Sequence, residues 1–260
     1  MLRTVTATRY ITPFREGGSL PALVEADDGE LYVLKFWGAG QGVKALVAEL
    51  IAGEVARTLG LPIPELVLLQ LEAGFGLNEP HEEIQDLIKA SIGLNLGVRY
   101  LPSAFAYNPL MEPPPAADFA SEIVWFDAYV TNVDRTPRNV NMLICEDKLW
   151  LIDHGAALYF HHDWNNYLAR SNTSFSFIKQ HTLLKHAADL SGANKRMVAR
   201  LNETLLHEIV EMVPDVWLGG EAQFDTITEH RAGYVNYLLS RLNTSETFEK
   251  EAIHARTALL

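Results

Sequence analysis

Asp134 and Asn139 stand five residues apart in the stretch Thr131-Asn132-Val133-Asp134-Arg135-Thr136-Pro137-Arg138-Asn139, and a second acid, Asp153, follows in Leu151-Ile152-Asp153-His154-Gly155. Phosphoryl transfer from ATP needs these parts. One carboxylate draws on the proton of an attacking hydroxyl, while an amide oxygen and a second carboxylate hold Mg²⁺ against the phosphates. On this reading Asp134 is the catalytic carboxylate, Asn139 and Asp153 are the metal ligands, and Asn132 braces the loop by hydrogen bonding. Asn and Asp favour turns in any case. The spacing acquires chemical meaning from the apolar run ending in Ile152-Asp153-His154-Gly155 and from the residues that follow.

Lys35 sits near the end of Leu31-Tyr32-Val33-Leu34-Lys35-Phe36, a lysine on an otherwise apolar strand. A buried ammonium is costly unless paired. The chemistry above supplies a purpose, contact with ATP phosphates, and an ion-pair partner on the next helix. Glu49 and Glu54 are both candidates, and Glu49, on the second turn, is preferred. Gly17-Gly18-Ser19 precedes a strand, and Gly18 and Ser19 are expected to approach the phosphates through backbone N–H groups. Gly38-Ala39-Gly40-Gln41-Gly42-Val43-Lys44 is not a phosphate loop of the Walker type. Val43 replaces the glycine before the lysine, and Ala45 replaces the hydroxyl after it.

His154, His161, His162 and Asp163 fit no zinc spacing. His154 is expected beside the metal-binding aspartate, and His161-His162 on a loop surface. Ser171, Thr173, Ser174 and Ser176 cluster downstream of Asp153, where an autophosphorylated or substrate-contacting loop would lie.

The elements that must position these groups are legible in part. Leu20–Ala26 and Leu31–Trp37 read as strands joined by the turn signal Asp27-Asp28-Gly29-Glu30. Val43–Leu59 reads as a helix ended by Gly60, Pro62 and Pro64. Glu65–Leu71 is a further strand, a short helix runs from Pro80 to about Ser91, and Gly93–Leu101 is a candidate hinge strand. Pro102–Pro115 is irregular. From Ala116 the pattern is helical, with Phe119, Ile123, Phe126 and Val130 as one buried stripe leading into the Asn132–Asp134 loop. Met142–Ile144 and Leu149–Ile152 form a hairpin that would hold Asn139 and Asp153 at its two ends. A loop is expected from Asp153 to about Phe177, followed by helices.

Composition narrows the class. A net charge of −12 over 260 residues disfavours a nucleic-acid backbone as partner. No run of eighteen apolar residues suggests a membrane span, the first residues lack the apolar core of a signal peptide, and Cys145 is a single cysteine, expected buried. These point to a cytoplasmic protein without stable membrane association.

The chain resembles the HipA-like kinases, a branch of the atypical protein-kinase-like fold that includes the type II phosphatidylinositol 4-kinases. The residues that carry the resemblance are Asn132-x-Asp134-Arg135-x-x-x-Asn139, Ile152-Asp153-His154-Gly155, Lys35, and Glu49 to Pro64. Weaker support comes from Val213–Leu218 and from Arg231-x-x-Tyr234-Val235. Thr136 departs from the histidine usual in HipA proteins themselves. The resemblance implies a two-lobed α+β fold: an antiparallel-sheet ATP-binding lobe over residues 1–93 and a mostly helical catalytic lobe over 94–260. It also implies ATP and Mg²⁺ as cofactors and transfer of the γ-phosphoryl group to a hydroxyl, Ser or Thr of a protein being favoured. A small-molecule or lipid kinase of the same fold, and a nucleotide-binding pseudokinase, remain the alternatives.

Overall fold

The computed structural model describes residues 2–14, 20–40 and 42–259. Strands β1 (Thr4–Pro13), β2 (Ala22–Ala26), β3 (Leu31–Lys35), β4 (Leu66–Leu71) and β5 (Gly93–Arg99) close into a barrel in the order β1-β2-β3-β5-β4. Alternation places one face of each strand inside. Ala22, Val24 and Ala26 of β2, and Tyr32 and Leu34 of β3, are buried among Val67, Leu69 and Leu71 of β4. The expected antiparallel sheet holds for every pairing but one: Thr4, Val5 and Thr6 of β1 run parallel to Leu68, Leu69 and Gln70 of β4. β1 is ten residues long, so its second half serves β2 while its first half meets the free edge of β4 and closes the sheet. A lobe boundary at residue 93 falls on the first residue of β5, which pairs with both β3 and β4; the barrel runs through Arg99.

Helix α1 (Gly42–Thr58) lies between the barrel and the rest of the chain. Every residue from Leu46 to Ala56 is buried, the glutamates Glu49 and Glu54 included. A helix apolar on all sides is one packed on all sides, and burying side chains such as Leu50 and Ile51 contributes about 1.5–3 kcal/mol each. That packing is what fixes the glutamates in place. After α2 (Glu82–Ala90) and β5, the segment expected to be irregular contains the short strand β6 (Phe105–Ala106), which pairs with Ile144 and Leu143.

Helix α3 (Ala117–Tyr129) is the axis of the large lobe. The expected single buried stripe is too narrow: all residues from Ile123 to Tyr129 are buried, while Phe119 is only partly so. The hairpin β7 (Met142–Cys145) and β8 (Lys148–Leu151) follows. Glu146 and Asp147 form its turn with φ of 51° and 57°, the left-handed pair that a two-residue hairpin requires. The segment after Asp153, expected to be a loop, holds 3-10 turns at Tyr159–His162 and Ser176–Gln180 and helix α4 (Tyr167–Ser171). Helices α5 (Leu190–Val198), α6 (Glu203–Val210), α7 (Asp215–Leu218), α8 (Ile227–Asn243) and α9 (Glu246–Thr257) complete the lobe.

The two lobes are joined by more than the chain. Leu151 N–H donates to Pro62 O at 2.8 Å, Arg200 Nη1 to Leu59 O at 2.6 Å, and Trp217 Nε1 to Leu94 O at 3.0 Å. Lys44 of α1 pairs with Glu221 at 2.7 Å. These contacts clamp α1 and its flanks to the second lobe.

Candidate active site

Lys35 is the last residue of β3. The strand's alternation that sends Leu34 into the barrel sends Lys35 out of it, toward α1. Its Nζ lies 2.7 Å from Glu49 Oε2 and 2.7 Å from Asp153 Oδ1. Burial alone would pull the ammonium down, but the Asp153 and Glu49 carboxylates together raise it above the ordinary lysine range. Glu49 shows the mirror image: burial pushes it up, yet Lys35, aided by His154, holds it at about 2. Glu54 instead faces Arg57, 3.1 Å away, so of the two candidates Glu49 meets the lysine. His154 sits beside Asp153 with its ring buried, Nδ1 3.6 Å from Glu49 Oε1.

The loop between α3 and β7 carries the other groups. Asn132 Nδ2 donates to Asp127 Oδ1 at 2.8 Å, and Asn132 Oδ1 accepts the Asp134 N–H at 3.1 Å. The Asn132 side chain therefore spans from the end of α3 to the backbone of Asp134. Asn139 Nδ2 donates to Asp134 Oδ2 at 2.5 Å, which joins the two ends of the Asp-x-x-x-x-Asn spacing. Asp134 is raised above the usual carboxylate range, first by burial and further by the charge of Asp153, with the Asn139 hydrogen bond opposing. Two acids close enough to influence one another, on segments joined by a hairpin, make one site.

Asn141 is a residue that the motif spacing does not reveal. Its Nδ2 donates to Asp153 O at 3.4 Å and its backbone O accepts from Arg135, so it ties the Asp153 segment to the loop that carries Asp134. Thr131, Asn141 and Asp153 all have positive φ, at 54°, 48° and 56°. Left-handed backbone costs an L-residue about 1–2 kcal/mol, and all three occur where the chain enters or leaves the site. The sequence signal for this was the second asparagine of Asn139-Val140-Asn141, since Asn tolerates that conformation.

Other expected residues lie elsewhere. Gly18 and Ser19 fall outside the described residues. His161 is buried, with Nδ1 3.0 Å from Tyr234 OH, whereas only His162 of the expected surface pair is exposed; aromatic neighbours on α8 draw His161 inward. Cys145 is half-buried rather than buried, because β7 ends at the hairpin turn. Ser171 is buried, its Oγ 2.6 Å from Leu168 O and 2.7 Å from Ser240 Oγ, while Thr173, Ser174 and Ser176 are exposed. Among the described residues no three His, Cys, Asp or Glu side chains converge as a metal cluster, and no helix is long and apolar enough to cross a membrane.

Known proteins resemble this chain in sequence and in fold. The sequence profile of the HipA-like kinases matches residues 8–251, and the chain belongs to that family. Two solved structures share its fold. One is the Helicobacter pylori proinflammatory kinase CtkA, 14% identical with a TM-score of 0.62, the match covering 100% of this chain and 99% of that one. The other is the Golgi casein kinase with Mn/ADP bound, 12% identical with a TM-score of 0.51, covering 97% of this chain and 75% of that one. At such identities the likeness is one of fold, the two-lobed α+β kinase-like fold. No curated protein matches the sequence. Family and fold make this a kinase, a phosphotransferase in reaction class.

Proposed function

We propose that the chain transfers the γ-phosphoryl group of ATP, with Mg²⁺, to a hydroxyl of a protein Ser or Thr. The observation that carries this reading is Lys35 held between Glu49 and Asp153 at 2.7 Å from each, with Asp134 and Asn139 joined beside it. We also propose that the nucleotide-binding lobe comprises the barrel and α1, and that the remainder is the acceptor-binding lobe.

The residues present fit a magnesium–nucleotide pair. With its amide nitrogen committed to Asp134, Asn139 leaves its Oδ1 open. The Asp153 side chain is 52% exposed and engages Lys35 through one oxygen. An amide oxygen and a carboxylate suit Mg²⁺, which keeps waters and substrate phosphates as its other ligands. When bound, the ion would neutralise charge on the phosphates. Lys35 would pair with phosphate oxygens, its position set by Glu49. Asp134, with its raised proton affinity, accepts the proton of the acceptor hydroxyl. The new P–O bond forms to that oxygen as the bond to the β–γ bridging oxygen breaks, and ADP leaves. Asn139 holds the Asp134 carboxylate for that task. The structural neighbour solved with Mn/ADP supports a nucleotide and a divalent ion on this fold, and its name, casein kinase, supports a protein acceptor.

The test is transfer of label from γ-labelled ATP to a panel of lysate proteins and small hydroxyl compounds. Label on protein Ser or Thr supports the reading. Label on small molecules alone moves the acceptor class, and Mg-ATP binding without any transfer makes the chain a nucleotide-binding pseudokinase.

A further inference from the structure

Asp127, in the last turn of α3, has a side chain with no exposure to solvent. Burying a carboxylate costs several kcal/mol unless its partners are well placed, and here there are three donors. Asn132 Nδ2 reaches Oδ1 at 2.8 Å, while Arg135 Nε and His181 Nε2 reach Oδ2 at 2.6 and 2.8 Å. Burial alone would push Asp127 up, but Arg135 and His181 hold it well below the ordinary carboxylate range.

Asn132 and Arg135 flank Asp134. The Arg135 guanidinium, itself buried, also donates to Asn141 O and, at 3.5 Å, to Ile152 O, the carbonyl next to Asp153. The strands of chain that carry Asp134, Asn141 and Asp153 therefore meet around one guanidinium–carboxylate pair. His181 brings in a further segment, downstream of Asp153. Its Nδ1 accepts the Leu183 N–H at 3.0 Å, so Nε2 carries the ring proton and donates it to Asp127. The next residue, Thr182, donates its N–H to Arg135 O at 3.1 Å. His181-Thr182 thus holds the end of α3 through a side chain and the catalytic loop through the backbone.

We propose that His181 is a positioning residue for the transfer step, holding the catalytic loop, and with it Asp134, through the buried carboxylate of Asp127. The proposal rests on the reading of Asp134 as the carboxylate that faces the acceptor. A contact whose only purpose was stability would be served as well by an apolar pair. A neutral ring donating to a buried acid at the root of the loop instead fixes direction. The segment after Asp153 is then tied to the catalytic loop by groups already in the chain, without a phosphorylated side chain.

The test compares His181→Ala, which removes the donor, with His181→Gln, whose Nε2 stands at the same number of bonds from the backbone. Misplacing a reacting group by about 1 Å costs up to about 10²-fold in rate. In His181→Ala, kcat at saturating ATP is expected to fall about 10- to 100-fold with the KM for ATP unchanged. His181→Gln should recover most of it. Hydrogen exchange of residues 132–139, measured without nucleotide, should be faster in His181→Ala than in the parent and restored in His181→Gln. Parental kcat and parental exchange in His181→Ala would overturn the proposal. So would a joint decline of kcat, ATP affinity and melting temperature that His181→Gln fails to repair. If the parent itself transfers no phosphate to any acceptor, the functional reading fails, and the hydrogen-exchange comparison still decides the positioning role.

Discussion

Lys35 and Asp153, 118 residues apart in sequence, lie 2.7 Å from each other through Nζ and Oδ1. The contact joins the end of a barrel strand to the end of a hairpin in the other lobe. It closes a chain of charge in which Glu49 is the buried member and Asp153 the open one.

Replacing Lys35 by Met leaves the Glu49 carboxylate buried without its cation. Removing one member of a buried pair costs about 3–5 kcal/mol. Lys35→Met should therefore lower the melting temperature as well as the affinity for ATP. Adding Glu49→Gln should restore much of the stability and none of the nucleotide affinity. Thermal melts with calorimetric titration on the two variants separate these effects; recovery of ATP binding in the double variant would remove Lys35 from the phosphate site.

Asp153→Ala should weaken Mg-ATP more than ATP measured with EDTA, because the lost carboxylate serves the ion rather than the base. Isothermal titration under both conditions reads the difference. Equal losses would assign Asp153 to orienting Lys35 alone.

The pair also sets an acid limit. Glu49, ordinarily near 4.5, is held at about 2 in the folded chain. A depressed carboxylate contributes stability that is present above its unfolded value and lost as pH falls toward its folded one. Asp127 acts in the same direction. The denaturant midpoint should therefore decline below about pH 4.5, and Glu49→Gln should show a shallower decline across that interval. Identical slopes would mean that Glu49 is not held ionised by Lys35.

Of the hydroxyls downstream of Asp153, Ser171 is buried and bonded to Ser240, so any autophosphorylation in this stretch should survive Ser171→Ala. Mass spectrometry after incubation with Mg-ATP should find phosphate at Thr173, Ser174 or Ser176 if in this segment at all. Phosphate at Ser171 would require α4 to open.

Sequence spacing was sufficient to pick out a helix at Val43–Leu59, the β7–β8 hairpin and a strand at Leu31–Trp37, which in the structure ends at Lys35, because each rests on local periodicity and turn chemistry. It did not reveal β1, whose run Thr4–Pro13 mixes exposed polar residues with few buried ones, nor the parallel closure onto β4, which is a long-range pairing. The Asp127–Arg135–His181 node was equally invisible, since a buried acid announces itself only through partners 8 and 54 residues away. Asn141 was hidden because asparagine only permits a left-handed backbone, and its bonds to Asp153 O and from Arg135 are contacts that no spacing declares.

The central claim is that Asp134 accepts the proton of the acceptor hydroxyl. Asp134→Asn keeps size and most hydrogen bonding but removes the charge, so Mg-ATP affinity should stay close to that of the parent. Single-turnover transfer at saturating ATP should fall by about 10²-fold or more, the scale for losing a positioned acid or base. Equal transfer rates in the variant and the parent would contradict the account.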